Sequence, residues 1–297
     1  MKDTIVTAIY HYSYMSRMGG RNYNFKYYEN PFTNLLNLEM NIIVFSHDSE
    51  INDIKSFFNR NNFDDFIIIN YDLNDYRFSN RIYTLKENKG IIDSNGLING
   101  NSMTLNDRNV HLCLSKIEFL KIAINGCYFE SNDYYWFDAG LFHNGIIPNS
   151  FGGMEKYVDP VKNTFWPLNQ NNICNPHLIK NLKKHIDQKL LFLGLTSFSQ
   201  PQWWNQILPE NKQIHIIGGI FGGDKLEILN IYTQFQSLIT QVFSIDELTL
   251  EEDILSIIIT NNNYKYLKFD TWYHDIPLDL CYYQITSDTN CFYKIFI

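Results

Sequence analysis

The chain has 297 residues, 45% hydrophobic and 19% charged, enough apolar content to bury a sizeable core in one large or two modest domains. A formal net charge of −8 argues against a general nucleic-acid binder, which needs a basic face to displace phosphate counterions, yet leaves room for a single nucleotide as ligand. The five scattered cysteines form no Cys-x-x-Cys pair, no stretch reaches the roughly 20 apolar residues of a membrane span, and residues 1–7 lack a signal-peptide core, so a soluble, cytoplasmic protein is expected.

Residues 4–10 are an apolar, β-branched run too short for a helix and read as a first core strand. The loop at 11–23 carries Arg17, Gly19, Gly20 and Arg21. A glycine-containing loop with two arginines after a first parallel strand suits a phosphate contact, and it equally suits an ordinary surface loop. A strand at 41–46, a helix at 51–59 and a strand at 66–70 follow, and this β-α-β alternation predicts an α/β fold with a mostly parallel sheet flanked by helices. Residues 77–107 read as turns. A helix over 110–124 puts Leu112, Ile117, Leu120 and Ile124 on a buried face, with Lys116 and Lys121 elsewhere. Lys116 is then either a solvated helix lysine or a group that reaches a diphosphate.

Residues 134–137 are aromatic throughout, which suits a strand buried on both faces, and Asp138 stands where that strand ends. A carboxylate there lies at the edge where α/β sheets bind ligands, able to hold a metal ion or a ribose; its plain alternative is an Asp that starts a turn. Ala139 and Gly140 let backbone or ligand approach closely. The glycines and prolines of 141–170 predict a long loop over a pocket, followed by a helix at 176–187 and strands at 190–195 and 213–217. Gly218-Gly219-Ile220-Phe221-Gly222-Gly223 reads as a sharp turn that admits something close, and it matches neither a dinucleotide fingerprint nor a phosphate loop. Residues 226–242 form an amphipathic helix. The next helix opens at Thr249-Leu250-Glu251-Glu252, where Thr249 and Glu252 have capping-box spacing, a structural reason for Glu252. A strand at 264–269 leads to Asp270-Thr271-Trp272-Tyr273-His274-Asp275 and to one or two strands from residue 280 onward. His274 is either a metal ligand or an ordinary polar residue.

Taken in order, the first strand, the Lys116 helix, Trp136-Phe137-Asp138-Ala139-Gly140, the Gly-Gly-Ile-Phe-Gly-Gly stretch, Glu251-Glu252-Asp253-Ile254-Leu255 and Phe269-Asp270-Thr271-Trp272-Tyr273-His274 resemble the YibB-like (HtrL-type) family of glycosyltransferases over nearly the whole chain. The resemblance implies one GT-A-like domain over residues 1–297, with a nucleotide-binding part at 1–140 and an acceptor-binding part at 141–297. It implies transfer of a sugar from a nucleoside-diphosphate sugar, in the first instance a UDP-sugar, to a glycan or other hydroxyl acceptor, without nucleic acid or an integral membrane segment. Thr7, Tyr10, Arg17, Lys116, Asp138, Ala139 and Gly140 would bind the nucleotide sugar, and Gly222, Gly223 and Trp272 the acceptor. Glu252 and Glu251 would supply the catalytic carboxylates. Asp138 and His274 would hold Mn or Mg, although Gly140 replaces the second Asp of a DXD-type motif and so opens the question of metal dependence. The alternative is a non-catalytic glycan- or nucleotide-binding protein of the same fold.

Overall fold

The protein is described by a computed structural model over residues 2–10, 25–36, 38–91, 107–139, 189–195, 215–269 and 295–296. Two runs of β-branched and aromatic residues, Thr4–Ile9 (β1) and Asn41–Ser46 (β2), are buried at every position, as strands covered on both faces must be. They pair in parallel, Thr4 opposite Asn41 through Ile9 opposite Ser46. Around them lie β3 (Phe66–Asn70), β4 (Asp133–Phe137), β5 (Leu190–Leu195), β6 (His215–Asp224), β7 (Tyr266–Phe269) and β8 (Ile295–Phe296), in the sheet order β3-β2-β1-β4-β6-β5-β7-β8. Strands β1 to β4, β5 and β7 share one direction; β6 runs against both its neighbours, and β8 against β7.

Helices cover both faces. On one side, α1 (Phe25–Leu36) and α2 (Asp48–Arg60) pack Phe25, Phe32, Phe57 and Phe58 against Ile5, Ile9, Ile42, Val44 and Phe137. On the other, α3 (Ser79–Asn88), α4 (Asp107–Gly126), α5 (Lys225–Ser244) and α6 (Glu251–Asn262) enclose Val6, Ala8, Phe45 and Trp136. Alternate residues of each strand therefore feed two separate apolar layers, the arrangement of a doubly covered α/β sheet. No helix among the described residues is long and apolar enough to cross a membrane. The loop expected at 141–170 and the helix expected at 176–187 fall outside the described residues.

Three elements differ from the sequence reading. Helix α3 lies inside 77–107, a stretch read as turns; its polar composition hides a short apolar seam, of which Ile82 and Leu85 are fully buried. Helix α1 had no counterpart in the sequence reading. The Gly218 to Gly223 segment is no turn: it continues β6, a strand of ten residues. Gly222 and Gly223 have φ of 152° and 142°, and a Cβ on them would run into the Tyr134 and Lys189 carbonyl oxygens, respectively. The glycines thus serve close approach between neighbouring strands, the second standard use of glycine in a sheet.

Reversal of β6 decides where the site forms. Its amino end, at His215, lies level with the carboxyl end of β5, pairing with Leu195, and the Asp138 amide donates to the Gly219 carbonyl at 2.9 Å. Pairing with β5 slips here: Phe192 faces Phe221 but Gly194 already faces Ile216, so residues 217–220 bulge. Bulges of this kind re-aim groups beside functional sites.

Candidate active site

The bulge in β6 meets the first turn of α6. That helix begins after Leu250, and Asp253 accepts from the Leu250 amide (3.3 Å) and the Thr249 hydroxyl (3.2 Å), so Asp253 closes the helix start. This corrects the capping role read into Glu252. Freed from its own helix, Glu252 accepts the Gly218 amide on Oε1 at 2.8 Å, and its Oε2 lies 3.2 Å from His215 Nε2. One turn later, Ser256 Oγ accepts the Ile216 amide at 2.8 Å. Side chains of α6 thereby satisfy backbone donors at the bulge, as buried donors require.

Glu251, 2% exposed, places Oε1 at 2.6 Å from Lys116 Nζ. The same ammonium lies 3.0 Å from Asp138 Oδ1, donates to the Gly218 carbonyl at 3.0 Å, and stands 5.6 Å over the Trp136 ring. An ammonium has three N–H donors, and three acceptors surround this one. Lys116 is therefore neither a solvated lysine nor a free diphosphate ligand: with its side chain 7% exposed, it ties α4, β4, β6 and α6 together. Asp138 is further held by Trp136 Nε1, which donates to Oδ1 at 2.7 Å, while Oδ2 takes no partner among the described residues and the side chain is 41% exposed. Here a fixed carboxylate offers one oxygen outward.

The electrostatics divide the two glutamates. Burial pushes the Glu251 carboxyl up, against the opposing pull of Lys116, and the Glu252 charge adds to the rise. Burial also works against ionised Glu252, but the His215 contact and the Gly218 amide outweigh it and hold that carboxyl below the ordinary range. For Lys116, burial lowers the ammonium, and Asp138 and Glu251 more than reverse this, holding it well above the usual lysine value. Cys113, one turn before Lys116, is pushed well up by burial and by Glu251, which keeps it a thiol rather than a nucleophile. Glu252, with 25% of its side chain exposed, is thus the accessible, ionised acid, and Glu251 the enclosed counter-charge.

The structure brings together Lys116, Asp138, Glu251 and Glu252 from the sequence-predicted set, with Ala139 buried beside them in sequence. Other members separate. Thr7 is sealed in the core of β1, and Tyr10 packs on Phe119 and donates its hydroxyl to the Tyr71 carbonyl at 3.0 Å, so neither presents a polar group to a nucleotide. Gly222 and Gly223 pair with Tyr135 and Tyr134, at the end of β4 away from Asp138, and do not join the cluster as acceptor contacts. Arg17, Gly140, Trp272 and His274 fall outside the described residues. Sequence reasoning missed His215, which as a lone histidine in an apolar strand carries no local signal, and the separate role of Gly218.

At Gly218 a Cβ would run into Glu251 Oε1 and lie 3.0 Å from Glu252 Cγ. Gly218→Ala should therefore destabilise by about 1–3 kcal/mol, the usual cost of overpacking. Denaturant titration would read it, and a stability equal to that of the unaltered protein would show that the two glutamates can shift aside.

No group of three or more His, Cys, Asp or Glu side chains suited to a metal ion occurs among the described residues. Asp138 Oδ2 is a hard oxygen donor and fits one position in the shell of a divalent ion.

No family model matches the chain, and no curated protein matches it. Among solved structures it is similar to 4-diphosphocytidyl-2C-methyl-D-erythritol synthase from Anaerococcus prevotii, with 9% identity, TM-score 0.43 and coverage of 93% of this chain and 91% of that one. Mouse xyloside xylosyltransferase 1, apo form, aligns at 10% identity and TM-score 0.41 over 98% of this chain and 96% of that chain. The bifunctional IspDF from Campylobacter jejuni aligns at 13% identity and TM-score 0.42 over 94% of this chain, which spans 52% of its length. At these scores the likenesses assign neither a family, the YibB-like one included, nor an activity. The class of fold is visible in the sheet itself: a mostly parallel α/β sheet covered by helices on both faces, with parallel β3-β2-β1-β4, a reversed β6 and a carboxylate just past the end of β4.

Proposed function

We propose that the protein is a nucleotide-sugar-dependent glycosyltransferase of the kind the YibB-like resemblance implies, moving a sugar from a nucleoside-diphosphate sugar to a hydroxyl acceptor. The observation that carries this reading is the outward-facing Asp138, fixed by Lys116 and Trp136 and joined through Lys116 to the Glu251-Glu252 turn of α6. Sugar transfer requires a held donor, a leaving diphosphate whose charge is offset, and a carboxylate near the acceptor hydroxyl and the cationic sugar. In this proposal Asp138 meets the donor, through its ribose or as one ligand of Mn or Mg alongside diphosphate oxygens and His274. When bound, such an ion would offset the diphosphate charge. Glu252, ionised and accessible, faces the acceptor, while Lys116 and Glu251 position these two acids. The nucleotide half (1–140) supplies Lys116 and Asp138, and the acceptor half (141–297) supplies the glutamates, so the site needs both.

A panel of UDP, other nucleoside diphosphates and UDP-sugars, with and without Mn²⁺, tests the reading by thermal shift, because a ligand of the native state raises its melting temperature. A shift with UDP or a UDP-sugar is expected; a flat response in folded protein counts against it. Activity that persists in excess EDTA and survives His274→Ala removes the metal. Glu252→Gln should leave the ligand shift intact and lower turnover on the order of a hundredfold, the scale of acid-base assistance. The second reading, a non-catalytic binder, is favoured by Gly140 standing where a DXD-type motif has its second Asp, and predicts the UDP shift without turnover of any UDP-sugar.

A further inference from the structure

His215 opens β6 at the carboxyl edge of the sheet, is 4% exposed, and pairs with Leu195. Its Nε2 lies 3.2 Å from Glu252 Oε2, the oxygen that the backbone does not use, because Oε1 already holds the Gly218 amide at 2.8 Å. We propose that His215 is the positioning residue of Glu252, fixing the carboxylate that faces the acceptor. The inference rests on the reading of Glu252 as the acceptor-side acid.

A plain structural brace would not need this histidine. The bulge has anchors of its own in the Glu252 contact to Gly218 and the Ser256 contact to Ile216. What His215 adds is a second hold on a long side chain with three rotatable bonds, whose rotamer freedom opposes a single pose. It also gives the carboxylate a side-chain hydrogen-bond partner. The groups facing Glu252 are His215 and the Gly218 amide on β6, Glu251 and Asp253 on its own helix, and Lys116 and Cys113 on α4. Glu251 and Asp253 oppose a further negative charge, and the Lys116 ammonium already has Glu251, Asp138 and the Gly218 carbonyl on its three donors. Among these groups His215 is the direct side-chain contact that favours the ionised acid.

The test uses the full chain, with His215→Phe, which removes the contact, and His215→Gln, which keeps a neutral donor. Two readouts are taken: UDP release from a set of UDP-sugars across pH, and the pH titration of the Glu252 carboxyl followed by ¹³C NMR. In His215→Phe, kcat should fall tenfold or more while the donor KM and the UDP-induced thermal shift stay within twofold, and the acid limb of the kcat profile should move to higher pH. His215→Gln should recover part of kcat. The Glu252 carboxyl should titrate at higher pH in His215→Phe than in the unaltered protein. A lower melting temperature with unchanged kcat per folded molecule and an unchanged acid limb would make His215 a brace only and overturn the proposal. Should the Phe variant not fold, the same titration in His215→Gln decides, and no movement there overturns it. If the unaltered protein releases UDP from no sugar, the glycosyltransferase reading fails on its own; the Glu252 titration then still sustains or overturns the positioning role.

Discussion

Lys116→Met should destabilise the fold by about 3–5 kcal/mol at neutral pH, the range seen when one partner of a buried ion pair is removed. Glu251 is 2% exposed and its Oε2 has no hydrogen-bond partner among the described residues, so loss of the ammonium leaves a buried carboxylate with almost nothing to offset its desolvation. The pH dependence has a definite sign. Glu251 already titrates above its ordinary range, and without Lys116 it would rise further. A group raised in the folded state stabilises fully below its unfolded value and loses that contribution as pH rises through its folded value. The deficit of Lys116→Met should therefore be largest near neutrality and shrink as pH falls toward and below the ordinary carboxylate range. Lys116 itself, raised well above the usual lysine value, contributes below that value and ceases to do so as pH climbs through its folded one. Adding Glu251→Gln to Lys116→Met should restore more than half of the loss, since both charges then leave together. Urea midpoints at several pH values, at constant m, check all of this; equal stability of Lys116→Met and the unaltered protein at neutral pH would mean that water reaches the cluster.

Asp138→Asn should have the opposite profile, little effect on the fold and a large one on function. The Asp138 side chain is 41% exposed, and an ion pair open to solvent to that extent contributes at most about 1 kcal/mol. Asn keeps an oxygen for Trp136 and Lys116, so the local geometry survives. What disappears is the charge on the outward oxygen. Turnover of a UDP-sugar should fall on the order of a hundredfold or more, the scale of losing one preorganised electrostatic contact, and the UDP thermal shift should shrink with it. Wild-type turnover in both Asp138→Asn and Asp138→Ala would remove the carboxyl end of β4 from the mechanism.

Some of this was legible before any coordinates. A strand buried on both faces is written in sequence as an unbroken apolar run, so β1, β2 and β5 could be read from residues alone, and the helix between β2 and β3 implied a parallel sheet. Asp138 at the end of an aromatic strand and the paired glutamates at a helix start were visible for the same local reason. Helix α3 was not, because a polar ten-residue helix that buries Ile82 and Leu85 draws its stability from packing and not from its own pattern.

By itself, then, the sequence determined the α/β class, the position of Asp138 and the presence of an acidic turn, because each is a property of neighbouring residues. Only the tertiary structure decided that Gly222 and Gly223 extend a strand, since their purpose lies in the close approach of the Tyr134 and Lys189 carbonyls, which are distant in sequence. Only it reversed β6 and so carried His215 and Gly218 to the edge where Asp138 stands. Lys116 shows the reason most plainly: on its helix it is one polar residue among others, and its partners Asp138, Gly218 and Glu251 come from β4, β6 and α6. A buried charge is specified by partners far away in the chain, and a reading confined to local periodicity has no access to them.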